Sequence, residues 1–143
     1  MKRAVMVGLA IALVACGGGD DDGGNDAESR ILGAVEANYK NQAGRVYDEY
    51  LLPSQAAMID RDHFISCNTA TAGMDVELDA DEEYTETVNV PTIGEAETTA
   101  LTYTIQANDS EVANTSHAVE VDGEWYVYYP QDRLDAYAAG ECP

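Results

Sequence analysis

The first part of the chain has apolar residues at helical spacing. From residue 31 to residue 51 they recur at steps of three and four, which places them on one face of a helix. Gly44 is expected to end or bend a first helix, and Pro53 is expected to end a second. The stretch PSQAAMIDRDHFISC predicts a third, shorter helix with Asp60 or Asp62 as its N-cap. These segments predict a helical layer that covers the rest of the fold.

From Gly73 onward the apolar positions alternate, which is the spacing of β-strands. Three runs are expected as separate strands: Met74, Val76 and Leu78 in the first, Tyr84, Val88 and Val90 in the second, Leu101, Tyr103 and Ile105 in the third. The acidic run DVELDADEEYTE lies around the expected connection between the first two. It indicates a solvated face or an edge strand protected by charge, with a site for Ca²⁺ or a basic partner as the alternative.

The end of the chain predicts a hairpin and then a short helix. In VEVDGEWYV, Asp122 and Gly123 supply the positive φ angles of a type I′ turn, so Val119 and Val121 are expected near Trp125 and Val127. The stretch QDRLDAYAAGEC is amphipathic and predicts a C-terminal helix. Helices followed by a meander of strands indicate the α+β class. Residues 28–143 are long enough for one such domain and too short for two.

The N-terminus has the three parts of a secretory signal. Lys2 and Arg3 precede an apolar run over residues 4–14, which is too short to span a bilayer as a stable anchor. The following Leu13-Val14-Ala15-Cys16 resembles the lipobox of prokaryotic lipoproteins. The resemblance implies that residues 1–15 are a cleaved signal peptide and that Cys16 carries a lipid anchor. The alternative is an ordinary signal cut near Ala15, which leaves a free thiol.

The segment after Cys16 indicates a tether. Residues 17–26 contain no apolar side chain, so residues 16–27 are expected to form a flexible acidic Gly/Asp linker. The net charge of the chain is −20. Such a surface repels nucleic acid and anionic lipid, so neither is expected as a partner. A salt-rich habitat and an ordinary acidic secreted surface both agree with this charge.

The remaining cysteines, Cys67 and Cys142, are expected to form a disulfide, because the signal places both outside the cytoplasm. Their spacing does not indicate a redox motif or a zinc site. His63 lies beside Asp60 and Asp62 with no second histidine nearby, so an ion pair or a helix cap is expected there rather than a metal ligand. No metal or cofactor is therefore predicted, and the chain lacks the G-x-S-x-G, H-E-x-x-H, G-x-x-x-x-G-K and G-x-G-x-x-G motifs.

Two segments resemble the nuclear transport factor 2-like superfamily, and within it small secreted or lipid-anchored bacterial members. They are VYDEYLLPSQAAMIDRDHFISC and HAVEVDGEWYVYY, and the resemblance covers about Ser29 to Tyr129. It implies a cystatin-like roll, in which N-terminal helices pack on a curved antiparallel sheet and enclose a cone. Isomerase-like and cyclase-like members use that cone as a pocket with an Asp base. No Asp of this chain matches that base, so no catalytic residue is assigned. The candidate pocket residues are Tyr39, Tyr84, Tyr103, His117 and Trp125.

These features predict a lipid-anchored protein on the extracytoplasmic face of the cell membrane, with a non-catalytic binding or scaffold domain. This function requires a cone filled by the protein's own side chains, and an envelope protein is the expected partner. The alternative is a pocket for a small apolar ligand, or an isomerase-like or cyclase-like enzyme that uses the cone. The resemblance also leaves a homodimer open, because curved sheets of this superfamily often pair face to face.

Overall fold

The computed structural model describes residues 25–69 and 73–143, and it has the predicted α+β architecture. Cys16, the expected signal peptide and most of the expected tether lie outside the described residues. The helical part contains α1 (Ala27–Tyr39), α2 (Ala43–Arg45), a π-helical turn (Val46–Tyr50), α3 (Pro53–Ala56) and α4 (Arg61–Cys67). The strands β1 (Glu77–Val90), β2 (Gly94–Ala107), β3 (Ser110–Val121) and β4 (Glu124–Val127) follow, and then α5 (Gln131–Ala138). Within the described ranges no helix is both long and apolar enough to cross a bilayer.

The first helix begins inside the expected tether and ends before Gly44. The Asp26 side chain caps α1 by accepting a hydrogen bond from the Ser29 backbone N–H at 2.7 Å. The helix ends at Tyr39, and Asn41 has a φ of 65°. Asparagine tolerates this left-handed conformation better than most residues. The expectation that Gly44 ends or bends this helix is therefore wrong.

Pro53 begins a helix rather than ending one. It occupies the start of α3, where its missing backbone N–H has no helical partner to lose. Asp60 is confirmed as the N-cap of α4, because its carboxylate accepts a hydrogen bond from the His63 backbone N–H at 2.8 Å. The short helices α3 and α4 therefore start at residues that the sequence marks, although the role expected for Pro53 is reversed.

The four strands form one antiparallel sheet in the order β1-β2-β3-β4. Met74 and Val76 precede the sheet, whereas Leu78 and the whole second expected strand lie in one continuous strand, β1, whose register shifts between Ala80 and Glu82. Because of this shift, alternate residues before and after it point to different faces of the sheet. Leu78 packs with the helices, whereas Val88 packs on the opposite face. The acidic run thus lies along an edge strand rather than at a connection between strands.

The hairpin between β3 and β4 has the predicted turn but not the expected neighbours. Asp122 and Gly123 have φ angles of 56° and 87°, as a type I′ turn requires. The register places Val119 opposite Tyr126. Val119 therefore shares a face with Tyr126. The expectation that it lies near Trp125 and Val127 is wrong by one residue, and in a strand a shift of one residue places a side chain on the opposite face.

The core lies between the helices and one face of the sheet. Phe64 and Ile31 have no exposed surface there, and Leu134 and Tyr137 of α5 close the same layer. A smaller apolar cluster on the opposite face contains Leu52, Val90, Val119 and Tyr128. The core therefore faces the helices, while most of the other face of the sheet remains open to solvent.

The predicted disulfide between Cys67 and Cys142 is confirmed. It joins the end of α4 to the C-terminal residues across a sequence separation of 75, with 5.3 Å between the Cα atoms. The C-terminal segment after α5 is thereby held against the helical layer.

Candidate functional site

A cavity of about 230 Å³ lies between α1, α5 and the helix-facing side of the sheet. We call it the cone cavity. Its apolar wall comes mainly from Ile31 and Ala34 of α1, Ile105 of β2 and Val127 of β4. The polar side chains on its lining are Asn38, Tyr39, Asn68, Tyr103, Asn114, Thr115, Ser116, Tyr129 and Arg133. The cavity thus combines an apolar wall with several hydrogen-bonding groups, as ligand pockets usually do.

The sheet contributes a tyrosine–serine pair to the cone cavity. The hydroxyl groups of Tyr103 and Ser116 lie 2.8 Å apart across β2 and β3. Burial raises the pKa of Tyr103, although the hydrogen bond with Ser116 opposes that shift. Tyr103 therefore remains a neutral hydrogen-bonding group at neutral pH.

The C-terminal part of the chain contributes a tyrosine and a cation. The Arg133 guanidinium carbon lies 4.2 Å from the centre of the Tyr129 ring, which is a cation–π distance. Burial raises the pKa of Tyr129 to about 12, even though Arg133 acts in the opposite direction. Tyr129 consequently keeps its proton throughout the physiological pH range.

Two residues of the lining each have a polar atom that is buried without a hydrogen-bond partner among the described residues. These atoms are the Nε of Arg133, a donor, and the Oδ1 of Asn38, an acceptor. Leaving such a group unpaired costs about 1 to 3 kcal/mol. No ion pair between described residues involves Arg133 either, although acidic residues greatly outnumber basic ones in the chain. Two residues that line the cavity thus carry an unpaired donor and an unpaired acceptor.

The lining supports recognition by hydrogen bonds better than proton abstraction. Its described residues include no Asp, Glu or His side chain. The groups that face the cavity are one guanidinium, three amides and several hydroxyls, and those of Tyr103 and Tyr129 resist ionisation. The hydroxyl and amide groups can orient a bound molecule by hydrogen bonds, and the guanidinium can pair with the negative charge of a carboxylate.

Of the five candidate pocket residues, the structure brings two together at the cone cavity. Tyr39 and Tyr103 line it. Tyr84 and His117 lie on the opposite face of the sheet, where each is the register partner of Ala100. Trp125 packs against the edge of the core, and its carbonyl oxygen accepts a hydrogen bond from the Arg30 Nε at 2.9 Å, but it does not line the cavity.

Of the polar lining residues, sequence reasoning named only Tyr39 and Tyr103, and those it missed include Asn38, Ser116, Tyr129 and Arg133. Ser116 and His117 are neighbours on a strand, so their side chains point to opposite faces of the sheet. The sequence alone does not show which of the two faces the helices, and His117 is the one named as a candidate. Asn38 and Arg133 are polar residues on predicted helices and are normally assigned to the solvent face. The sequence contained one indication for Arg133. The chain has few basic residues, and one of them stands next to the apolar Leu134, near the buried side of the predicted C-terminal helix.

His117 instead lines a second cavity of about 410 Å³ on the opposite face of the sheet. Its Nε2 lies 3.7 Å from the Glu86 carboxylate, and the side chains of both residues are 36% exposed. The His117 ring also packs against Tyr128, with 5.8 Å between ring centres. Solvent screens a pair of this kind, and neither His117 nor Glu86 lines the cone cavity.

Tyr129 is expected to make the stability of the protein fall as the pH rises from about 10 to about 12. Its folded-state pKa of about 12 exceeds the unfolded value of about 10, so the native state binds more protons in that range. Tyr103, Tyr126 and Tyr128 shift in the same direction, so the test compares wild type with Tyr129→Phe. Urea unfolding at pH 9 and pH 11 should show a smaller loss in the variant. An equal loss in both proteins contradicts the raised pKa.

The chain matches no family model, and it matches no curated protein. Membership of the nuclear transport factor 2-like superfamily therefore stays a prediction from the sequence motifs. The function of the domain is accordingly inferred from the residues of the cone cavity.

Proposed function

We propose that this protein binds a small organic molecule in the cone cavity, as a lipid-anchored domain on the extracytoplasmic side of the membrane. The observation that carries the proposal is that Arg133 and Asn38 both line one cavity, and that each buries a polar atom, Nε and Oδ1 respectively, without a hydrogen-bond partner among the described residues. A ligand that pairs with both atoms offsets the cost of burying them. In a domain that binds a protein partner only through its surface, nothing offsets the free-energy cost of burying these two atoms unpaired. The cavity favours the small-molecule alternative over the scaffold expectation, which requires a filled cone.

The lining indicates the chemistry of the ligand. Arg133 favours a hydrogen-bond acceptor, and a carboxylate most strongly, because a charged pair is about twice as strong as a neutral one. Asn38 Oδ1 requires a donor such as a hydroxyl or an N–H. The apolar wall fits a hydrocarbon body, and an apolar cavity of about 150 Å³ already holds benzene. A volume of about 230 Å³ therefore suits a one-ring acid that also carries a donor group.

The proposed location rests on the N-terminal motif and on the disulfide. The lipobox-like residues before Cys16 lie outside the described residues, so acylation of Cys16 is part of the proposal. A bond between Cys67 and Cys142 supports it, because disulfides persist mainly outside the cytoplasm. From Cys16 to Ala27, where α1 begins, the chain can span at most about 40 Å. The domain would thus collect its ligand close to the membrane surface.

The proposed fold family is the nuclear transport factor 2-like superfamily. An antiparallel sheet that packs its inner face on N-terminal helices around a cavity supports this assignment. The family supplies no activity for this chain, because one fold hosts many functions.

Arg133→Gln is expected to abolish the retention of the natural ligand. The full-length protein is purified from its native membrane and examined by native mass spectrometry, and its intact mass also reports acylation of Cys16. Loss of a charged hydrogen bond costs about 1.5 to 3 kcal/mol, so affinity should fall about 10- to 100-fold. The matched control is Arg61→Gln, which removes a surface cation paired with Asp48 at 2.8 Å. Wild type and this control should retain the same molecule.

Direct titration gives a second test that does not need the natural ligand. The probes are 4-hydroxybenzoate and 4-hydroxybenzyl alcohol, which share a ring and a donor but differ in the carboxylate. The acid should shift the side-chain Nε–Hε resonance of Arg133 at lower concentration than the alcohol does. A protein that carries no molecule from its native membrane, and whose Arg133 resonance responds to neither probe, overturns the proposal and restores the scaffold interpretation.

A further inference from the structure

The end of α4 places a histidine next to the disulfide. His63 and Cys67 are four residues apart on one helix, so their side chains lie on the same face. The His63 Nε2 is 3.6 Å from the Cys67 Sγ. The edge of the Tyr137 ring system packs against the imidazole, with 6.0 Å between ring centres, and helps to hold it there. The histidine is thus oriented towards the sulfur.

The C-terminal segment adds a third metal-binding group. One ligand atom each from His63, Cys67 and Cys142 lies within 4.8 Å of the other two. Tetrahedral zinc holds nitrogen at about 2.0 Å and sulfur at about 2.3 Å, so the nitrogen and sulfur ligands are about 3.6 Å apart. The observed separation of His63 Nε2 from Cys67 Sγ has this value.

We propose that reduction of the Cys67–Cys142 disulfide creates a binding site for a thiophilic divalent cation such as Zn²⁺. A dithiol reductant supplies two electrons and two protons, becomes a disulfide itself and leaves two thiols on the protein. The cation then binds both sulfurs as thiolates, and the two thiol protons are released to solvent. The His63 imidazole binds in its neutral form through Nε2. In the oxidised protein the sulfurs carry no charge, so the site exists only after reduction.

The neighbouring residues allow the small rearrangement that this site needs. In a zinc site the two sulfurs lie about 3.8 Å apart, so Cys142 must move away from Cys67. Residues 139–143 are exposed, so Cys142 can shift without disturbing the buried core. The His63 Nε2 also faces the Glu141 carbonyl oxygen at 3.1 Å and must exchange that contact for the cation. The strongly negative protein favours cation approach.

Cobalt binding tests this proposal with a readout specific for sulfur ligands. The full chain carrying Cys16→Ala is used, so that no third thiol contributes, and it is reduced with dithiothreitol and desalted without oxygen. We expect one Co²⁺ per chain, with a thiolate-to-cobalt charge-transfer band that Zn²⁺ removes in competition. The oxidised chain should show no such band. Because reduction weakens the fold, Zn²⁺ should also raise the melting temperature of the reduced chain.

Single substitutions separate this site from non-specific thiol binding. His63→Ala should weaken Zn²⁺ binding to the reduced chain at least about 100-fold, since even outer-shell changes cost up to that factor. His117→Ala is the matched control on the other face of the sheet and should leave the affinity unchanged. The oxidised His63→Ala protein is checked for folding by circular dichroism, and His63→Gln replaces it if folding is lost. Equal affinity of wild type and the His63 variant, or no thiolate band in the reduced chain, overturns the proposal.

Discussion

Replacing Cys67 and Cys142 together by serine is expected to lower the free energy of unfolding by about 4.5 kcal/mol. The bond joins residues 75 positions apart. On the chain-entropy account, cross-linking restricts the unfolded chain more as the closed loop grows, and a loop of this length has about that effect. Domains of this size are stable by about 5 to 15 kcal/mol, so the double variant loses about 30% of its stability or more.

Urea unfolding measures this loss directly, and the melting temperature should fall by about 15 to 25 °C. Wild type reduced in the presence of a chelator should unfold at the same urea concentration as the double variant, because both lack the bond and any metal. Ser66→Ala, next to Cys67 but exposed, is the matched control and should stay within about 0.5 kcal/mol of wild type. A double variant within 1 kcal/mol of the oxidised protein would show that the closed loop restricts the unfolded chain little.

Gln55→Glu is expected to destabilise the domain by about 3 to 5 kcal/mol, although the two side chains have nearly the same shape. Gln55 is fully buried. Its amide nitrogen donates to the carbonyl oxygens of Pro91 and Tyr129, both at 3.1 Å, and its Oε1 accepts from the Tyr129 backbone N–H at 2.8 Å. A carboxylate keeps only the acceptor role, so two buried carbonyls lose their donor and a charge is buried without a partner.

The loss should also depend on pH. Burial and the two facing carbonyls raise the pKa of a carboxyl at position 55 above its unfolded value of about 4.3. The native state then binds more protons than the unfolded state, so the stability of the variant falls as the pH rises through that range. Urea unfolding at pH 5 and pH 8 should show the larger loss at pH 8. Gln42→Glu, at an exposed position, is the matched control and should change stability little. An equally small effect for Gln55→Glu would contradict the role of the buried Gln55 hydrogen bonds in stability.

The features that the sequence predicts correctly depend on a few neighbouring residues. The type I′ turn needs only Asp122 and Gly123 in order, and the N-cap of α4 needs only Asp60 three residues before His63. The disulfide could be predicted without structural information, because only one pairing of Cys67 and Cys142 remains once Cys16 is taken as the lipid-modified residue. The change of apolar period from helical spacing to alternation likewise suffices for the α+β class.

Apart from the helix boundaries expected at Gly44 and Pro53, the failed expectations mainly concern which face of a strand a residue occupies. The register shift between Ala80 and Glu82 leaves no signal in the alternation pattern, yet it moves Leu78 and Val88 to opposite faces of the sheet. A one-residue difference at the hairpin likewise separates Val119 from Trp125. In a strand every such shift exchanges core and solvent, so short patterns predict that a strand exists better than they predict its inner face.

The sequence alone therefore determined the fold class, the hairpin turn and the disulfide, it left the cap of α4 open between Asp60 and Asp62, and it indicates the lipid anchor and the tether. Only the tertiary structure decided which polar groups meet. Asn38 comes from α1 and Arg133 from α5, and both line one cavity. Cys142 reaches His63 across most of the chain. Local features follow from residues close in sequence, as with the four-residue spacing of His63 and Cys67 on α4, whereas both proposed sites also depend on packing between elements far apart in sequence, which no local spacing predicts.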